Sequence, residues 1–466
     1  MKLKYYLAAL LVAFSVAGFS KEYRIKSAAD LSALPLKPGD KVILKNGNWK
    51  DQELNFKGQG TPEKPIILQA EDPQKLFLSG RSSLKIDGKW LLVDGLNFRD
   101  GFTTGQDVIL FSSESSNCRL TNSTVVGFNP KDSATGYTYA SLYGDHNRVD
   151  HCYFEGKTNT GPTLVVWLSN KPNYHQIDHN YFGPRPDFGG NGGETIRIGT
   201  SDWSMYDSFT KVDSNVFARC NGETEIVSVK SCRNTISNNL FFESVGTLTL
   251  RHGNFNEVFG NVFIGNKVND TGGIRIIGEN HRVYNNYLQG LTGTGLRAAI
   301  SVMDGLPNPI LTSHWQVKNA TVLANTIVDC KEAFSIGAGK NSERVLAPQK
   351  VIIANNLVRP GGIVVSLVDS SAEVSYKGNM LDNSSGTTIN TVHMVYSGFV
   401  KVDAKLRQTG EIWSPGKNSP VKGAFKGSFP FIQTTDVGAM INQNSSLLSA
   451  YRNIGPRGIK TDKVLF

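Results

Sequence analysis

The chain has 466 residues, 47 of them glycine and only 19% charged, with a net charge of +9. That length admits one very large domain or two or three ordinary ones, and no run beyond the first twenty residues is long and apolar enough to span a bilayer, which excludes a multi-span helical membrane protein. The five cysteines (Cys118, Cys152, Cys220, Cys232 and Cys330) show no CxxC spacing, so a zinc framework is not expected; an odd count leaves at least one thiol unpaired, and they read as buried small hydrophobes.

Residues 1–20, "MKLKYYLAALLVAFSVAGFS", have lysines at 2 and 4, an apolar run and small residues before Lys21. They read as a secretory signal peptide, and no cysteine follows to carry a lipid anchor. Its removal takes two lysines and no acids, and the net charge from +9 to +7. An exported basic protein, in the periplasm or the medium, suits an anionic partner, although an idle basic surface would have the same composition. From residue 21 onward a single domain is expected. "SAADLSALP" (27–35) reads as a short amphipathic helix within an N-terminal cap of about 21–40.

A short signature then recurs: "HNYF" with Asn180, "SNVF" with Asn215, "NNLF" with Asn239 and "GNVF" with Asn261. It continues as "NNYL" with Asn286, "ANTI" with Asn325, "ANNL" with Asn355 and "KGNML" with Asn379. Upstream, "HCYF" has Cys152 in the same place and "TNSTV" carries Asn122. Short Val-, Ile-, Phe- and Thr-rich runs surround each signature, broken by Gly, Asn and Asp. Irregular periods of this kind predict an all-β chain wound as a right-handed parallel β-helix, with the asparagine amides hydrogen-bonded from coil to coil. Leucine-rich repeats would need Leu-x-x-Leu-x-Leu, and a propeller a more regular period near forty. The ladder fades near residue 385, and 385–466 reads as a segment wrapping the far end or the side.

Stacked coils make residues one period apart neighbours in space. In "NGETEIVSVKS", Glu223 and Glu225 sit two apart on a strand and Lys230 follows. Arg251 of "LTLRHG" lies 21 residues after Lys230, against a ladder step of 22, so the two should be neighbours on adjacent coils. Asn191 of "GGNGGETIRIG" lies one coil before Glu223, and Arg275 of "GGIRIIG" one coil beyond Arg251. Two carboxylates and an amide oxygen make a hard-oxygen set suited to Ca²⁺; a Glu-x-Glu pair alone is more often a solvated face. A lysine beside an arginine suits β-elimination on a 4-linked uronate. A cation neutralises the sugar carboxylate, Lys230 takes the C5 proton, and Arg251 meets the leaving oxygen. His252 could orient or assist.

"NGETEIVSVKS" followed by "GTLTLRHG", with "NGGETIRIG" before and "GNVFIGN" after, resembles polysaccharide lyase family 6, the family of alginate lyases and chondroitinase B. The resemblance runs from "LKNGNWKDQELNFKGQGTPEKPIILQA" to about residue 360. It implies Lys230 as Brønsted base, Arg251 as Brønsted acid, and Ca²⁺ held by Asn191, Glu223 and Glu225. His252, Arg197 and Arg275 are the candidate substrate contacts. The expected partner is an anionic polysaccharide, alginate before dermatan sulfate, rather than nucleic acid or membrane. Three rivals stay open. A pectate lyase would need an aspartate-rich cation site, a hydrolase would leave Lys230 and Arg251 unexplained, and a non-catalytic adhesin would not need that pair.

Overall fold

The computed structural model describes residues 20–382, 398–421, 439, 451 and 454–457. The leader expected at 1–20, apart from its last residue, and most of the wrapping segment expected at 385–466 lie outside the described residues.

Within them the chain is a parallel β-helix. Three parallel sheets of 14, 12 and 14 strands run along it, and a strand pairs with those of the coils before and after it. One coil comprises Thr235–Ser237, Leu240–Phe242 and Gly246–His252, one strand in each sheet. Alternate side chains point inward and stack on their equivalents in the next coil. Phe154, Phe182, Phe217, Phe241 and Phe263 form such a column, with successive ring centroids 5.4, 5.0, 4.7 and 4.4 Å apart. Rings at one strand spacing remain in contact and exclude water from the core.

The strand Glu22–Ile25 begins the winding, and the short helix Ala28–Ser32 follows it, within the stretch its sequence marked. Ser27 caps it, the Asp30 side chain completes a capping box, and Leu31 is its buried residue. Placed at an open end, it packs against the Glu53–Gln59 strand and covers apolar core.

The asparagine ladder is present. From Asn180 through Asn215, Asn239, Asn261, Asn286, Asn325 and Asn356 to Asn379, each backbone N–H donates to the Oδ1 of the next asparagine at 2.8–3.0 Å. Two assignments change. In "ANNL" the ladder residue is Asn356, because Asn355 takes the left-handed conformation (φ 53°) that precedes the ladder position. In "TNSTV" Asn122 takes the same role (φ 48°), and Ser123 accepts from the Leu96 amide in the ladder place. Asparagine suits both positions, since its short polar side chain tolerates the left-handed region. Cys152 joins as expected, donating its amide to Asn180 Oδ1 at 2.9 Å. All five cysteines are free and buried. Among the described residues no helix is long and apolar enough to cross a membrane.

A buried acid pair lies just past the ends of the strands Ile300–Met303 and Ile363–Leu367. Asp304, fully buried, sits beside Asp369, which is held by Lys340 at 2.8 Å. Burial, and then the Asp369 carboxylate, push the Asp304 pKa up to about 7. A carboxyl that binds its proton more tightly folded than unfolded stabilises the fold most in acid, and the contribution is lost as pH rises through about 7. Asp304→Asn is therefore expected to raise Tm at about pH 8 and to raise it less at about pH 5, a contrast thermal melts will read directly.

Candidate active site

Four strands on consecutive coils of the 12-stranded sheet carry predicted site residues: Ile196–Ile198, Glu225–Lys230, Gly246–His252 and Thr271–Ile276. Their inward residues, including Ile196, Val227, Val229, Leu248 and Leu250, are core. The intervening positions form an outward column in which Arg197 pairs with Ser228, Ser228 with Thr249 and Thr249 with Arg275. Val229 pairs with Leu250 but Lys230 with His252, so Arg251 is the extra residue of a β-bulge. Bulges re-aim side chains at functional sites, and here Arg251 lines the same groove as Lys230.

That groove has a volume of about 1150 Å³. Its wall gathers Asn191, Glu223, Glu225, Lys230, Arg251, Arg197 and Arg275, so seven of the eight expected residues come together. His252 is the exception: it is 1% exposed, stands behind Arg251 with Nδ1 3.5 Å from the guanidinium, and does not line the groove. Burial and then the charge of Arg251 push its pKa down to about 3, so it is neutral at physiological pH.

The charges interlock. Glu225 Oε1 receives Arg275 at 2.5 Å and faces Arg251 Nε at 3.5 Å, while Ser228 donates to Oε2. Arg275 thus holds Glu225 rather than standing free for a substrate. Burial, opposed by Glu225 and reinforced by Arg275, lowers the pKa of Arg251. Lys230 Nζ lies 3.5 Å from Glu194 Oε1, an acid outside the residues expected from sequence. A signal for it was available: by the register Ile196–Val227, Glu194 falls one coil before Glu225. His314, from a loop, and Arg297, from the short 3-10 helix Gly295–Arg297, also line the groove. Burial, and then Arg251, push the His314 pKa down to about 4.

Glu223 projects from the next turn and accepts the Gly192 and Gly193 amides at 2.8 and 3.1 Å. Burial and the carboxylates of Glu194 and Glu225 push its pKa up to about 7. Glu194 Oε2 is buried without a hydrogen-bond partner. Crowded carboxylates, one orphaned oxygen and the amide of Asn191 on the exposed rim form an all-oxygen set that fits a hard divalent cation. Among the described residues no three His, Cys, Asp or Glu side chains are arranged to hold a metal ion alone, so the amide or oxygens from outside the chain would have to contribute.

The protein-family model Chondroitinase B matches residues 27–423. Among solved structures, the family 6 alginate lyase AlyGC is 41% identical over 85% of this chain, with a TM-score of 0.80. This chain covers 55% of AlyGC, about half its length. A mannuronic acid specific family 6 lyase from human gut microbiota is 36% identical, covering 82% of this chain and 91% of its own, with a TM-score of 0.72. The family 6 lyase Pedsa3628 from Pseudopedobacter saltans is 27% identical with the same coverages and a TM-score of 0.67. No curated protein matches. With the family model spanning most of the chain and the β-helix, its groove and the Lys–Arg stripe in place, the chain belongs to the chondroitinase B family, that of the polysaccharide lyases of family 6.

Proposed function

We propose that this protein is a polysaccharide lyase that cleaves a 4-linked uronate polymer, alginate first among candidates, by β-elimination. The observation that carries the reading is the presence of Lys230 and the bulged Arg251 on adjacent coils in one groove. Lys230 Nζ removes the C5 proton. The electron pair forms the C4–C5 double bond as the C4–O4 bond breaks, and O4 takes its proton from the side of Arg251. Glu194 Oε1 is placed to accept the proton onward from Nζ. Burial and the nearby Arg275 favour proton release from Arg251, while Glu225 opposes it. His252, neutral and buried, orients Arg251. Arg197, which lines the groove with its guanidinium 5.3 Å from the Trp167 ring, is a cation available to meet a further sugar carboxylate.

Asn191, Glu223 and Glu225 would hold Ca²⁺, with Glu194 alongside, and the bound cation would neutralise the sugar carboxylate and so acidify C5–H. Alginate is favoured over dermatan sulfate by the named substrates of the similar lyases. Export, as expected from the sequence of residues 1–20, would accord with a polymeric extracellular substrate.

The test is the ultraviolet absorbance of the unsaturated uronate product on alginate, dermatan sulfate and polygalacturonate, with and without chelator. Absorbance should rise on alginate and be suppressed by chelation. Silence on all three polymers would overturn the lyase reading, and a chelator-insensitive rise would overturn the cation.

A further inference from the structure

Arg185 has no place in the chemistry above, yet it is 3% exposed directly behind the groove. An arginine this buried is expected to meet a carboxylate. Instead its two terminal nitrogens donate to one hydroxyl and four backbone carbonyls, and Nε is buried without a partner. Nη1 donates to Thr163 Oγ1 at 3.2 Å and to the Glu194 carbonyl at 2.7 Å. Nη2 donates to the carbonyls of Asn159 at 3.3 Å, Gly161 at 3.0 Å and Gly192 at 3.3 Å. The guanidinium therefore ties the loop carrying Asn191 and Glu194 to the coil beneath it. The neighbouring backbone is shaped around it: a β-carbon on Gly222 would lie 2.7 Å from Arg185 Nε, and one on Gly193 would lie 2.1 Å from the Gly222 carbonyl.

The tie leads to one functional atom. Gly192 gives its carbonyl to Arg185 and its N–H to Glu223 Oε2. Gly193, the next residue, also donates to Oε2. Without the guanidinium the two amides lose their fixed direction, and Glu223, crowded by Glu194 and Glu225, loses the donors that hold its charge.

We infer that Arg185 is a positioning residue for the cation pocket, acting through the Gly192 and Gly193 amides to aim Glu223 and present Asn191. This rests on the reading of Glu223 and Asn191 as cation ligands. The experiment compares the full chain with Arg185→Met and Arg185→Lys. The half-saturating Ca²⁺ concentration for activity should rise about 10–100-fold in Arg185→Met, the usual effect of losing a group that orients a ligand. Turnover at saturating Ca²⁺ should be largely restored, and Arg185→Lys should fall between. In hydrogen exchange, residues 189–194 should exchange faster in Arg185→Met, with the strands Lys211–Asp213 and Thr235–Ser237 unchanged. An unchanged Ca²⁺ requirement, or a turnover loss that excess Ca²⁺ does not repair, overturns the inference. Should Arg185→Met not fold, Arg185→Lys carries the same comparison. A chelator-insensitive wild type would end the cation reading, and the clamp would stand or fall separately, on whether residues 192 and 193 exchange faster.

Discussion

Lys230→Met is expected to lower kcat on the polymer by about 10²–10⁴-fold, the range for removing a positioned general base. The substitution keeps most of the side-chain volume and removes only the amine. Lys230 is on the groove side of its strand with its side chain 19% exposed, and its ionic contact is to Glu194 at the groove wall. The strand itself is held by Val227 and Val229 in the core and by its register with Gly246–His252. The far-ultraviolet circular dichroism should therefore match the wild type, with Tm somewhat lower because the buried Glu194 loses its ionic partner. Substrate binding measured without turnover should change little, because the missing group acts on a proton. Retained turnover in a folded Lys230→Met protein would remove the residue from the base role.

Arg251→Ala should reduce kcat by about 10²–10³-fold, as expected for losing a donor aimed at developing negative charge. Its pattern should differ from that of Lys230→Met. Arg251 Nε lies 3.5 Å from Glu225, but Arg275 holds the same oxygen at 2.5 Å, so the carboxylate keeps a partner and the fold survives. A substrate with a more acidic leaving group needs less help at O4 and should recover part of the loss in Arg251→Ala and little in Lys230→Met. Equal losses on both substrates would place Arg251 in binding rather than in proton donation. Arg251→Lys should rescue poorly, since a shorter point charge cannot reproduce the guanidinium's reach across the bulge.

How much of this was readable beforehand depends on whether a residue obeys the coil period. Asn215, Asn239 and Asn261 repeat because each amide must meet its equivalent one coil away, so the spacing records the fold. The same rule placed Lys230 beside Arg251, and Glu223 and Glu225 on the wall with Asn191. Where two candidates stood in tandem, as in "ANNL", the period alone was one residue short of a choice, and the left-handed turn at Asn355 decided it. His314 comes from a loop and Arg297 from the short 3-10 helix Gly295–Arg297, both inserted between strands outside the coil period, and nothing in their neighbourhood marks them.

By itself the sequence determined the winding, because core alternation and the asparagine column are local patterns repeated at one spacing, and it determined which coils carry the acids, the lysine and the arginine. Only the tertiary structure decided which way those side chains face and whom they meet. A bulge at Arg251 turned that residue into the groove while its neighbour His252 went under it. Arg275 was drawn to Glu225 from two coils away, and Arg185 reached a loop backbone that no motif announces. The physical reason is that period sets which residues are neighbours along the helix axis, whereas bulge geometry, burial and competition among charges set direction, and those depend on contacts between segments far apart in the chain.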